Sequence, residues 1–375
     1  MILYQIIVTI FLLAILINLL NNLRVLKHLP TKKKTLKESP LVSVLIPARN
    51  EGKNIERCIK SIVNQDYPNF EIIVYDDNSE DDTLIKLKKL QSKYPHLEVY
   101  SGKPLPEGWT GKNFACYTLS QYAKGEWLLF TDSDTFHRKG SISSSILAAN
   151  NEKADLLSIM PDIVIETFAE KVFMPLVQFA LISFLPLGLI NVIKEPRAVI
   201  AMGPFMLLNA KFYRKIGGHK VIKDKIVDDL SLAQEVKKNG GKVVFLDGSD
   251  KVSVRFYNNI IDLWNGFSKN SFGAFENSPF ILLSFLTFNF CLYILPYFLF
   301  LSGILRLQIY LFPSVQILLI TVQRFFLSLR FRTKPLLIFL HPFSMILGFL
   351  IALNSMRLTL LGRAVVWKER VYNQK

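Results

Sequence analysis

Cysteine is scarce in this chain: Cys58, Cys116 and Cys291 lie far apart, with no Cys-x-x-Cys pair among them. That excludes a disulfide framework and a zinc ribbon, and it suits a reducing compartment for the polar part of the protein. Acidic residues are also short, with 30 Asp and Glu against 45 Lys and Arg, which leaves a net charge of +15 and an isoelectric point of about 9.6. A balance of that sign suits a polyanionic partner or an anionic membrane surface. Internal repeats and low-complexity segments are missing. At 50% hydrophobic residues over 375 positions, the chain is too apolar to be disordered or wholly water-soluble.

Charge is absent from the first 23 residues. Roughly 20 apolar residues at about 1.5 Å each span the hydrocarbon of a bilayer, so residues 1–23 read as a membrane helix. A cleaved leader needs a basic stretch before its apolar run and a small-residue cleavage site after it, and this segment has neither, so it is expected to stay as an anchor. A basic linker over 24–40 follows, with Arg24, Lys27, Lys32, Lys33, Lys34 and Lys37. The positive-inside rule puts that linker and the domain after it in the cytoplasm of a multi-pass cell-membrane protein.

Further uncharged runs at 280–305, about 309–322 and 335–356 make 279–356 a C-terminal transmembrane region, ahead of a basic tail over 357–375. The loop with Arg324, Arg330, Arg332 and Lys334 and the tail with Arg357, Arg363, Lys368 and Arg370 cannot both lie inside if one helix separates them. A re-entrant hairpin broken at Pro342, after His341, would resolve the conflict. The apolar run over 172–193 is expected to lie in the membrane interface as helices broken at Pro175, Pro186 and Gly188. The reason is parity: polar motifs on both sides of it must share a compartment if they build one site. A buried core helix is the competing reading.

Between the anchors, residues 41–278 alternate short β-branched runs with helical periodicity. Strands are expected over 42–46, 71–75, 97–100, 127–131, 156–160 and 243–246, and Ile55, Ile59, Ile62 and Val63 mark one face of a helix. This is an α/β domain with a mainly parallel sheet covered on both faces, and such sheets bind ligands beyond the carboxyl ends of their strands.

Polar clusters stand at those ends. The first strand runs into Pro47-Ala48-Arg49-Asn50-Glu51 and the second into Asp76-Asp77-Asn78-Ser79. A carboxylate such as Asp77 can accept the N3 hydrogen of uracil, and the first loop can meet base and ribose; a turn followed by a helix cap explains Asp77-Asn78-Ser79 equally well. The fourth strand ends in Asp132-Ser133-Asp134, a bay of hard oxygens for Mg²⁺ or Mn²⁺ on a diphosphate, with a helix cap as the alternative. Lys112 opens a helix, where its charge opposes the dipole unless it meets an anion, with a solvated surface lysine as the alternative. Asp228 and Asp229 precede another helix, as caps or as a general base. Trp264 and Lys269 form an aromatic and basic shelf beside the membrane, suited to a diphosphate and an amphiphile together; a snorkelling belt would look the same.

In this order the motifs resemble those of a membrane-bound family 2 glycosyltransferase of the GT-A fold, over essentially the whole chain. Val44-Leu45-Ile46-Pro47-Ala48-Arg49-Asn50-Glu51 resembles the family's nucleotide loop, and Asp76-Asp77-Asn78-Ser79 with Asp82-Thr83 its uracil motif. Gly111-Lys112 resembles the donor lysine, Asp132-Ser133-Asp134 the metal motif, and Gly203-Pro204-Phe205-Met206 with Gly217-Gly218-His219 the acceptor-side segment. Asp228-Asp229 resembles the acidic pair whose second member is the family's base. Trp264-Asn265-Gly266-Phe267-Ser268-Lys269-Asn270 and Val366-Trp367-Lys368-Glu369-Arg370 carry a nearer likeness to members that glycosylate the carotenoid diaponeurosporenoate and to hopanoid-associated ones. The Gln-x-x-Arg-Trp motif of processive synthases is not found.

The resemblance implies inverting transfer of a hexose, glucose, from a UDP-sugar to a terpenoid-like membrane lipid. Pro47, Arg49, Glu51, Asp77, Lys112, Trp264 and Lys269 would sit at the donor, Mg²⁺ or Mn²⁺ on Asp132 and Asp134, and Asp229 beside Asp228 as base. Polyprenyl phosphate and a glycerolipid- or ceramide-like lipid are the alternative acceptors, and a lipid-binding scaffold the non-enzymatic reading. Because the positive charge concentrates beside apolar spans, anionic lipid is expected rather than nucleic acid.

Overall fold

The computed structural model describes residues 2–30, 39–305, 311–362, 365–367 and 370–372. Lys32, Lys33, Lys34 and Lys37 of the basic linker, and Arg363, Lys368 and Glu369 of the tail, lie outside the described residues.

In chain order the first elements are α1 (Ile2–Val25), β1 (Val42–Ala48), α2 (Ile55–Val63), β2 (Phe70–Asp76), α3 (Thr83–Lys93), β3 (Leu97–Ser101), α4 (Gly111–Tyr122) and β4 (Trp127–Phe130). Then come β5 (Thr135–His137), α5 (Ser141–Glu152), β6 (Leu156–Met160), β7 (Asp162–Ile163), α6 (Phe168–Ser183), β8 (Met206–Asn209) and α7 (Ala210–Lys215). After α8 (Asp228–Lys238), β9 (Val243–Asp247) and β10 (Val252–Val254) the rest is helical: α9 (Ile260–Asn270), α10 (Pro279–Tyr293), α11 (Leu295–Leu305), α12 (Leu311–Arg330) and α13 (His341–Leu360), before a short hairpin of β11 (Val365–Trp367) and β12 (Arg370–Tyr372). The chain divides into a sheet unit, Leu26–Val164 with Ile190–Phe256, and a helical unit made of the remainder.

The sheet unit is built on seven strands in the order β3-β2-β1-β4-β8-β6-β9. Alternation along β1 loads both faces. Val42, Val44 and Ile46 pack with Ile55, Ile59 and Ile62 of α2 and with Leu87 of α3, while Leu45 packs on the other side with Ala115 and Leu119 of α4. A strand buried on both faces reads as a continuous apolar run, which is why the expected strands and the observed ones coincide closely. In α2 the same three isoleucines are buried, and Glu56 and Lys60 pair across the opposite face at 2.6 Å. The sheet departs from parallel at one strand: β8 runs antiparallel to both β4 and β6. A smaller sheet pairs β5, β10 and β7.

The Gly217-Gly218 turn holds one edge of this unit. Both residues have positive φ, 86° and 54°. A Cβ on Gly218 would stand 2.3 Å from the Tyr213 ring, whose hydroxyl accepts the His219 N–H at 3.0 Å and meets His219 Nδ1 at 2.8 Å. Gly218→Ala adds a left-handed penalty to an overpacked ring, together about 3 kcal/mol. The melting temperature of the purified protein should fall by roughly 5 °C or more.

The helical unit carries four described helices or helix pairs long and apolar enough to cross a membrane: Ile2–Val25, Pro279–Gly303, Leu311–Arg330 and Pro335–Leu360. Some of their polar side chains bond across helices. Gln316 Nε2 donates to Gln5 Oε1 at 2.8 Å and Gln323 Nε2 to the Leu12 carbonyl at 2.8 Å, tying α1 to α12, while Ile2, Leu3, Ile10 and Ile17 of α1 stay exposed. Interhelical hydrogen bonds inside an apolar outer surface are the packing a bilayer selects.

Two expectations are corrected here. Pro175 does not break the 172–193 run: α6 passes through it, opened by a Thr167–Glu170 capping box, and ends at Ser183, before Pro186 and Gly188. Nor does Pro342 make a re-entrant hairpin. It sits in the first turn of α13, where a missing N–H costs nothing, and 341–360 is one uninterrupted helix.

Candidate active site

Strand register gathers the site. β1 pairs Ala48 with Asp76 of β2 and Leu45 with Phe130 of β4, so the loops after all three strands emerge along one sheet edge. Because β8 is antiparallel and pairs Met206 with Phe130, the residues before it, Gly203 to Phe205, come to that same edge. Thr131 Oγ1 donates to the Pro204 carbonyl at 2.8 Å, and Ser158 Oγ donates to that of Phe205 at 3.0 Å, which clamps the segment in place.

Four ionised side chains meet there. Lys112 Nζ, in the first turn of α4, lies 2.8 Å from Asp132 Oδ1 and 3.2 Å from Asp228 Oδ2. Asp229, in the first turn of α8, accepts the Gly203 N–H on Oδ2 at 2.8 Å and the Leu230 N–H on Oδ1 at 2.7 Å. Gly203 is the centre of the group: a Cβ there would lie 3.2 Å from Asp132 Oδ2, 3.2 Å from Lys112 Nζ and 3.6 Å from Asp229 Oδ2. Asp132 and Asp229, 97 positions apart in the numbering, therefore face one space.

Electrostatics differ across the cluster. Burial pushes Asp229 up to about 6, with the Asp228 charge adding to the rise and Lys112 and the two amides opposing it. Burial alone would depress Lys112, but Asp132 and Asp228 outweigh it and hold the ammonium well above its ordinary range. His219, buried behind the cluster, is lowered to about 3 by burial and by Lys112, and is neutral. A carboxylate poised near neutrality beside a fixed cation is suited to moving a proton.

The remaining expected residues fall in two groups. Arg49 braces the second loop, donating from Nη1 to the carbonyls of Asp77 at 2.8 Å and Asn78 at 2.6 Å and from Nη2 to Glu80 at 3.0 Å. Asp77 is 4% exposed and Glu51 is 7%, the latter accepting from Asn54 Nδ2 at 2.9 Å. Pro47 is half-buried near the end of β1. Trp264 and Lys269 lie on α9, in the helical unit. The sequence reading missed the Gly203 amide as the group that orients Asp229. A glycine at a sheet edge was the available signal, and it says nothing about its N–H.

Asp132 and Asp134 flank a buried Ser133 and are themselves half-buried. Among the described residues no set of three His, Cys, Asp or Glu gathers as a ready ligand cage. Two hard carboxylates without a third fit Mg²⁺ or Mn²⁺, which bind through one or two carboxylates and complete their shell with phosphate oxygens and water. Lys112 on Asp132 shows that the bay already holds positive charge.

A mainly parallel sheet with one antiparallel insert, polar loops along one edge and helices on both faces is the GT-A architecture of nucleotide-sugar transferases. A mannosyltransferase from Pyrobaculum calidifontis, solved in complex with GDP-Man and Mn²⁺, shares the fold with a TM-score of 0.55 and 17% identity, over 93% of this chain and 98% of that one. Residues 43–217 match the family described as Glycosyl transferase family 2. The chain belongs to that family and is an enzyme of the glycosyltransferase class. Two curated relatives are 4,4'-diaponeurosporenoate glycosyltransferases. That of Staphylococcus aureus is 30% identical over 258 residues, 67% of this chain and 66% of the relative. That of Staphylococcus haemolyticus is 26% identical over 257 residues, 67% of each. The chain thus spans about two thirds of the length of these relatives.

Proposed function

We propose that the protein transfers a hexose, glucose, from a UDP-sugar to a hydroxyl of an apolar, terpenoid-like membrane lipid, with inversion at the anomeric carbon. The observation that carries this reading is the convergence of Asp229, Gly203, Lys112 and Asp132 on one space. The names of the relatives support a carotenoid-related acceptor, and the apolar helices support a membrane one. A divalent cation on Asp132 and Asp134, as Mn²⁺ accompanies GDP-Man in the mannosyltransferase, would offset charge on the departing diphosphate.

The chain's own residues then divide the work. Gly203 and Leu230 amides fix both oxygens of Asp229, which takes the proton as the acceptor O–H bond breaks. The acceptor oxygen forms its bond to the anomeric carbon from the face opposite the phosphate, and the bond to phosphate breaks with its electron pair leaving on UDP. Lys112 supplies positive charge beside Asp132, where the diphosphate is expected. Pro47, Arg49, Glu51 and Asp77 would shape the nucleoside pocket, and Trp264 and Lys269 the approach of the acceptor. With the basic linker inside the cell, the sheet unit would work in the cytoplasm of a multi-pass membrane protein, drawing on the cytoplasmic pool of nucleotide sugar.

Lipid extracts from cells with and without the protein, compared by mass spectrometry, test this. A hexose-sized mass increment on an apolar species, present only with the protein, is expected. An increment on polyprenyl phosphate, on a glycerolipid or on ceramide would replace the terpenoid acceptor. No hydrolysis of labelled UDP-glucose by the purified protein would reopen the scaffold reading.

A further inference from the structure

Behind the metal bay lies a buried imidazole that the transfer chemistry above does not use. His137, on β5, is 2% exposed, and Thr131 and Thr135 beside it are buried as completely. Its N–H donates to Ser61 Oγ of α2 at 3.0 Å and its carbonyl accepts from Gln65 Nε2 at 3.2 Å, so the backbone that carries the ring is fixed from outside the bay. Nε2 stands 2.9 Å from Thr131 Oγ1 and 3.2 Å from Thr135 Oγ1, and Nδ1 faces Ser141 Oγ at 3.4 Å. With both nitrogens turned to buried hydroxyls, neither is open to a metal ion or a substrate.

Each threonine hydroxyl has one hydrogen to give. Thr135 gives its own to the Asp132 carbonyl at 2.7 Å, and Thr131 to the Pro204 carbonyl at 2.8 Å. The two hydroxyl oxygens stand 3.0 Å apart. With both hydrogens turned away they meet lone pair to lone pair, which is unfavourable in a buried site unless a donor stands between them. Burial lowers His137 to about 3, so the ring is neutral and has a single N–H; on Nε2 that hydrogen satisfies both oxygens at once.

The two carbonyls belong to the two halves of the site. Asp132 is the carboxylate proposed to hold the cation, and Pro204 follows Gly203, whose N–H orients Asp229. Backbone pairing of β4 with β8 ends at Phe130 and Met206. Beyond that pair the Thr131–Pro204 bond and the imidazole take over, at the point where the Gly203 backbone comes closest to Asp132 Oδ2.

We propose that His137 is a positioning residue: through Thr135 and Thr131, its Nε2–H locks the Asp132 loop and the Gly203 loop at the separation the transfer requires. Its effect on turnover rests on the roles given to Asp132 and Asp229 above; its effect on the two loops does not.

Hydrogen exchange of the full-length protein in detergent, read by mass spectrometry, tests the bridge without donor or metal. In His137→Phe the amides of 131–135 and of 202–206 should exchange about ten-fold faster, the scale of one lost hydrogen bond, while those of β1 and β2 keep the wild-type rate. His137→Gln, whose amide nitrogen takes the place of Nε2, should restore both segments. Thr135→Val should release 131–135 alone and Thr131→Val 202–206 alone, a comparison that stands even where the phenylalanine variant does not fold. With Mn²⁺ and UDP-glucose, His137→Phe should lower kcat about ten-fold at an unchanged metal-free dissociation constant for UDP, and glutamine should recover it. Acceleration shared equally by β1 and β2, as lost core packing would give, unchanged exchange in both loops, no rescue by glutamine, or both loops released at unchanged turnover would each overturn the proposal. The expected exchange pattern in a protein that transfers no sugar would support the bridge and count against the transfer reaction instead.

Discussion

Asp229→Asn is expected to lower kcat for a hydroxyl acceptor by about 10³-fold while leaving the donor dissociation constant within about two-fold. The expectation follows from the way the carboxylate is held. Its two oxygens each accept one backbone N–H, from Gly203 at 2.8 Å and Leu230 at 2.7 Å, so its position is set by main chain and not by the acceptor. Asparagine keeps the shape, cannot take the proton, and must turn its NH2 toward one of those amides, which also costs about 1 kcal/mol of stability. The wild-type rate should report the same group. With Asp229 raised to about 6, kcat/KM is expected to be full above that pH and to fall with unit slope as the acid protonates below it, a limb that Asp229→Asn removes. A carboxylate acceptor, which the relatives' name denotes, is already ionised at neutral pH and needs no base. The variant assayed with a hydroxyl acceptor and with a carboxylate one therefore distinguishes the two chemistries: retention of activity on the hydroxyl acceptor would remove Asp229 from the mechanism.

Much of the fold was legible because the sheet is buried on both faces. Val42, Val44 and Ile46 face one core and Leu45 the other, so the strand has nowhere to place a polar residue until it ends, and its end is where the polar motif begins. The isoleucines of α2 were legible for the complementary reason, a single apolar stripe. Neither β8, where no strand was expected, nor its antiparallel course was. Direction along a sheet leaves no trace in a four-residue apolar strand, yet that reversal is what carries Gly203 to the edge where Asp132 and Asp229 meet. Pro175 misled for a different reason. A proline marks a break only where neighbours do not take up the freed backbone, and here the Val172 carbonyl, on the turn before Pro175, accepts from the Ser344 hydroxyl of α13, a pairing that no local pattern announces. The lysine of α4 was legible as a charge in need of an anion. That the structure meets the need with Asp132 and Asp228, from two other elements, required the register of three strands.

That double attachment decides how the metal bay should be tested. Asp132→Ala would remove a cation ligand and one of the two carboxylates that hold Lys112, so its effect would have two origins. Asp134→Ala leaves both Asp132 and Asp228 in place around Lys112, and it presents the cleaner change. In calorimetry with the wild-type protein, UDP is expected to bind tighter with Mn²⁺ than without. Asp134→Ala should make the two affinities equal and lower turnover by about 10³-fold, as expected when electrostatic stabilisation of a leaving diphosphate is lost. Lys112 would remain on Asp132 and Asp228 in that variant, so metal-independent binding of UDP should survive at the wild-type level. An Mn²⁺ dependence unchanged by the substitution would take Asp134 out of the bay. A loss of UDP binding with and without Mn²⁺ would instead show that Asp134 shapes the nucleotide loop itself, whose neighbour Arg57 donates to the Asp134 carbonyl at 3.2 Å.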